Sequence, residues 1–139
     1  MKKILTRTAE FSLLEEQIFL CRVLPDKEID VADTRENFRA VTEISGRQPY
    51  LILVDGTGGS SVTKEGMEDA ARPEVQVNLI AQAIVVKTLA NRLLGNFIIK
   101  FHRPSAPTKL FSDCETALNW LKEIKKEKNR LSLQSNIFI

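Results

Sequence analysis

The sequence predicts an α/β domain whose mixed sheet starts with an antiparallel hairpin and continues in parallel strands joined by helical crossovers. Three observations lead there. Two short apolar stretches, 4–14 and 17–24, are separated only by Glu15-Glu16, the pattern of a hairpin. Tyr50-Leu51-Ile52-Leu53-Val54 is apolar without alternation, as in a strand covered on both faces. Between and after these runs lie segments with helical spacing, giving the order β-β-α-β-α-α-β-α, which requires crossovers between parallel strands.

Each element has a local reason. Pro25-Asp26 ends the second strand, and from Asp30 the residues Val31, Phe38, Val41 and Ile44 recur at helical spacing until Gly46, a left-handed cap. Gln48-Pro49 leads into the central strand, and Asp55-Gly56-Thr57-Gly58-Gly59-Ser60-Ser61 leaves it as a small-residue loop. Thr63 is the expected N-cap of a short helix that stops near Arg72-Pro73. Over 74–94, Ile80, Ala83, Ile84, Leu89, Ala90, Leu93 and Leu94 predict the longest helix, ended by Gly95. Residues 97–101 predict a further strand, closed by Arg103-Pro104. Ser112 and Glu115 make a capping-box pattern before a helix with Ala117, Leu118, Leu121 and Ile124 as its buried stripe and Trp120 beside it. The apolar tail 131–139 is expected to dock on the domain or to build a homodimer contact.

With 139 residues, 43% of them hydrophobic, there is room for one domain spanning 1–139 with a sizeable core. Cys21 and Cys114 cannot form a disulfide framework, and no apolar run reaches the roughly 20 residues of a membrane span, so a cytoplasmic protein away from the membrane is expected. Residues 1–70 hold 9 basic and 13 acidic side chains, whereas 71–139 hold 11 and 5. The richest basic stretch, 122–130, also contains Glu123 and Glu127 and reads as a solvated helix face, so nucleic acid is not an expected partner.

The chemistry-bearing candidates are few. The loop after Asp55, with Thr57, Ser60, Ser61 and Thr63, leaves the carboxyl end of a central strand, where open α/β sheets place ligands. It matches neither the dinucleotide fingerprint nor the P-loop, so tight turning and helix capping are the plain reading of its glycines and hydroxyls. Asp55 invites comparison with a receiver-domain phosphoacceptor, but Leu24-Pro25-Asp26 lacks the acidic pair that would hold magnesium, and turn capping accounts for Asp55. His102, with Arg103, lies at a strand end without an identifiable acid or nucleophile and is a secondary candidate. Cys21 fits a buried strand position, and Cys114 stands in a helix's first turn, where the dipole could lower its pKa. No spacing suits a metal, no cofactor is expected, and the chain is not expected to be an enzyme.

The strand ending Leu51-Ile52-Leu53-Val54-Asp55, the Gly/Ser loop, the short helix, the strand at 97–101 and the helix containing Ala117-Leu118-Trp120-Leu121 together resemble bacterial STAS-like domains, the anti-sigma-factor antagonist fold, in an uncharacterised branch. The resemblance covers nearly the whole chain in order of elements. It implies a non-catalytic regulatory or protein-interaction module with a kinase-like or regulatory protein partner. In such domains, phosphorylation of a serine in an Asp-Ser-Ser-Gly segment at this helix start controls partner binding. Here the equivalent stretch is Val62-Thr63-Lys64-Glu65-Gly66, which lacks the Asp-Ser-Ser triplet, so the switch does not carry over as it stands. The alternative is a protein that binds a small apolar or lipid-like ligand.

Overall fold

The computed structural model describes residues 2–88, 91 and 105–137. Among the described residues, eight strands and four helices follow in the order β1 (Lys3–Leu5), β2 (Ala9–Glu15), β3 (Ile18–Val23), β4 (Glu28–Ile29), α1 (Val31–Ile44), β5 (Tyr50–Asp55), β6 (Ser61–Val62), α2 (Lys64–Ala70), α3 (Pro73–Gln76), β7 (Leu79–Val85), β8 (Thr108–Phe111) and α4 (Cys114–Ile137). Six strands form one sheet in the order β1-β2-β3-β5-β7-β8, antiparallel through β1, β2 and β3 and parallel from β3 to β8; β4 and β6 make a separate parallel pair. This is the predicted mixed α/β architecture.

The apolar run 50–54 occupies the middle of the sheet, and period-two alternation divides its side chains between two cores. Leu51 and Leu53 join Ile18, Ala81, Ala83 and Val85 beneath Ala117 and Leu121 of α4. Tyr50 and Ile52 face the other way, with Phe11, Phe19 and Cys21 beneath Ala40 and Val41 of α1. α1 ends where Gly46 and Arg47 both take positive φ, +64° and +61°. The first sheet-forming segment, read as 4–14, is two strands, because a turn at 6–8 folds β1 back onto β2 with Ile4 opposite Phe11.

The helix expected over 74–94 is overturned by α3 and β7. From Ala81 onward β7 is buried in alternation, with Ala81, Ala83 and Val85 covered by α4 and Gln82 and Ile84 on the opposite face. An apolar run interrupted by alanine fits both periods over a few residues, and the β-branched Ile80, Ile84 and Val85 suit the extended form. The remainder of that predicted helix from Leu89 to Leu94, the strand at 97–101 and the candidates His102 and Arg103 lie outside the described residues, Asn91 excepted. β8, which pairs Leu110 with Ile84, was not predicted.

α4 is capped by Asp113, not by Ser112 as the capping-box pattern suggested. Its carboxylate accepts from the Thr116 backbone N–H at 2.7 Å and from the Thr116 hydroxyl at 3.0 Å. The helix crosses the sheet toward the β2–β3 turn, where Lys122 pairs with Glu15 at 3.4 Å and Lys125 Nζ donates to the Glu16 carbonyl at 2.6 Å. Beyond that point Leu131 and Leu133 are 51% and 64% exposed, so this part of the tail is not docked on the domain. No described helix is long and apolar enough to cross a membrane.

A pH dependence is built into the entry to α1. Arg7 Nε and Nη2 donate to the two oxygens of Asp33 at 2.7 and 2.6 Å, and this pairing, helped by the Asp30 N–H and opposed by burial, holds the Asp33 carboxyl well below the usual range, at about 2. The folded carboxyl is thus more acidic than that of the unfolded chain. Its stabilisation is complete above roughly pH 4 and is lost as pH falls toward about 2. The melting temperature is expected to fall through that window, and Asp33→Asn to flatten this part of the curve. An unaltered acid slope in the variant would show that the pair contributes nothing.

Candidate functional site

Two chain segments run side by side at the carboxyl end of the central strands. Ile29 pairs with Val62 and Glu28 with Ser61 in the short β4–β6 ladder, with the Ser61 N–H donating to the Lys27 carbonyl at 3.0 Å and the Thr63 N–H to the Ile29 carbonyl at 2.9 Å. Gly58 lies so close to the other segment that a Cβ there would meet Pro25 Cα at 3.1 Å, so a side chain fits only if the Pro25 segment gives by a few tenths of an ångström. Asp55 caps the turn as expected, its Oδ1 accepting from the Thr57 N–H at 3.1 Å and from the Thr57 hydroxyl at 2.7 Å.

The loop hydroxyls separate into two groups. Ser60 Oγ donates to the Leu24 carbonyl at 2.6 Å and accepts from the Lys27 N–H at 2.9 Å, so it ties the loop to the chain leaving β3. Thr63 Oγ1 accepts from the Gly66 N–H at 3.0 Å, the predicted N-cap, and donates to Asp30 Oδ1 at 2.7 Å, joining the starts of α1 and α2. Ser60 and Thr63 are therefore internal ties, although the sequence groups them with the exposed Thr57 and Ser61. Neighbouring Ser60 and Ser61 differ because an extended chain turns successive side chains to opposite sides. Gly66 of α2 is buried, and a Cβ on it would stand 3.0 Å from the Ile29 carbonyl oxygen. With no Cβ, the α2 backbone can lie this close to β4.

The cysteines carry no activated thiolate. Burial, with the Asp55 charge adding to it, pushes Cys21 up to about 12. Cys114 is also raised, by partial desolvation and then by the charges of Asp55 and Asp113, the opposite direction from that expected at a helix start. Among the described residues, no three His, Cys, Asp or Glu side chains gather as a metal site.

A second feature had no signal in the sequence because its walls come from distant elements. Among the described residues, a cavity of about 360 Å³ lies between the α1 face of the sheet and α2, walled chiefly by Val23, Ile29, Val54, Met67, Ile84 and Leu110. Beside it, Asp69 of α2 is 6% exposed and bonded to the Thr34 hydroxyl at 2.7 Å and to Arg72 Nε at 2.9 Å. Burial would raise this carboxyl, but Thr34, Arg72 and Arg35 together hold it below its usual range. Gln76 spans the end of the cavity, donating to the Ala70 carbonyl at 3.1 Å and accepting from the Ala106 N–H at 3.2 Å.

The family model described as "Domain of unknown function (DUF7793)" matches residues 12–125. No curated protein matches the chain. Among solved structures, the chain is similar to an uncharacterized protein from the DUF3478 family with a SpoIIAA-like fold from Shewanella loihica PV-4, at 13% identity and a TM-score of 0.58, covering 81% of this chain and 91% of that one. That likeness shows the fold: the architecture is SpoIIAA-like, that is, STAS-like, as the resemblance implied.

Proposed function

Since the chain belongs to the DUF7793 family, whose function is unassigned, its role has to be read from its own surface, and we propose that it is a non-catalytic module that binds a kinase-like or regulatory protein partner through the 55–66 ridge. One observation carries the reading. The ridge is anchored from within by Ser60 and Thr63, so that Thr57, Ser61, Val62, Lys64 and Glu65 are presented outward on a fixed backbone at the carboxyl end of the sheet. Such a platform loses little entropy on docking. Thr57→Asp and Ser61→Asp are expected to change stability by less than about 1 kcal/mol, being at exposed positions. At least one should abolish capture of the partner that the unmodified protein retains from lysate of its native host. Full retention by both variants would move the interaction surface away from the ridge.

The cavity favours a second reading, the binding of a small apolar ligand. Its volume of about 360 Å³ falls within the roughly 300–1,000 Å³ typical of small-molecule sites, and its walls are largely aliphatic.

A further inference from the structure

Within the ligand-binding reading, on which this rests, we infer that the cavity between the sheet and α2 selects an uncharged, slender apolar molecule carrying one hydrogen-bonding group, which the amide of Gln82 receives. None of the described residues lining the cavity carries a formal charge. A carboxylate or phosphate drawn into it would lose its hydration without gaining a cation from any of these residues, whereas a hydroxyl, ketone, ester or amide needs only one partner.

The polar side chains of the lining identify that partner. Thr34 is bonded to Asp69, and the Asn37 amide is held by the hydroxyls of Thr6 and Thr8 at 2.6 and 3.0 Å. Gln76 is engaged at both ends of its amide, and Thr108 Oγ1 donates to the Ala106 carbonyl at 3.1 Å. Gln82 differs. It stands on β7, opposite Ile52 on one side and Thr108 on the other, with its side chain in the cavity wall and no side-chain hydrogen bond to a described residue. A half-buried amide on an interior strand offers one donor group and one acceptor in a wall whose other described polar side chains are already bonded. A side-chain amide in such a wall gives orientation as well as affinity.

The test is titration of the full chain with decanol and with decanoate at pH 8, where the acid is fully ionised, followed by calorimetry and thermal shift. Decanol is expected to bind one to one and at least about tenfold more tightly than decanoate. Gln82→Leu should weaken decanol about fivefold or more while leaving decane binding unchanged. Gln82→Met, closer in shape, provides the same comparison if the leucine variant does not fold, as judged by circular dichroism. Equal binding of alcohol and acid, or no loss in a folded Gln82 variant, overturns the assignment of the head group to Gln82 while the cavity reading survives. Absence of binding by all three probes overturns both, and means that the chain itself fills the space.

Discussion

Replacing Leu53 with alanine is expected to destabilise the protein by about 2–5 kcal/mol, the usual range for removing a buried leucine side chain. Leu53 is 2% exposed, paired with Leu20 on one side and Ala83 on the other, and shares its core with Ile18, Leu51, Val85 and Leu121. Its neighbours belong to three strands and a helix, so none can move into the space without disturbing sheet register or the seat of α4. A loss of this size is a large part of a typical domain's stability of about 5–15 kcal/mol. Urea titration measures it, with Leu14→Ala, 42% exposed, as the comparison expected to stay below about 1 kcal/mol. A loss below about 1 kcal/mol for Leu53→Ala would contradict a central, doubly covered β5.

Ser60→Asp is expected to cost about 2–3 kcal/mol, although serine-to-aspartate changes in exposed loops are usually mild. The substitution removes the hydroxyl that donates to the Leu24 carbonyl at 2.6 Å and sets a carboxylate against that oxygen. It also disturbs the acceptor of the Lys27 N–H, so both ties between the ridge and the chain after β3 are affected. The same substitution at the adjacent Ser61, whose side chain is exposed, should change stability by less than about 1 kcal/mol. Thermal melting of the two variants side by side decides the matter. Equal melting temperatures would show that the Ser60 hydroxyl is not an anchor. The contrast also separates the two roles of the loop: loss of partner capture in Ser61→Asp is a surface effect, whereas loss in Ser60→Asp follows from a disturbed backbone.

Local chemistry accounts for what could be read along the chain. The unbroken apolarity of 50–54 identified a strand buried on both faces, the spacing of Phe38, Val41 and Ile44 identified α1, and Thr63 announced α2, because strand burial, helical periodicity and capping each act over a few residues. Tertiary structure decided the rest. Residues 79–85 satisfy a helical and an extended pattern alike, and pairing with β5 and β8 on either side, together with the small Ala81 and Ala83 beneath α4, selects the strand. Asp113 rather than Ser112 caps α4 because helix start and backbone direction place its carboxylate over the Thr116 N–H. Ser60 and Ser61 are indistinguishable in sequence, and only the partner segment 24–30 makes one an internal tie and leaves the other outside. The cavity around Gln82 is the extreme case: its described walls come from β3, β4, α1, β5, β6, α2, α3, β7 and β8, and no local pattern encodes a space that exists only where those elements meet.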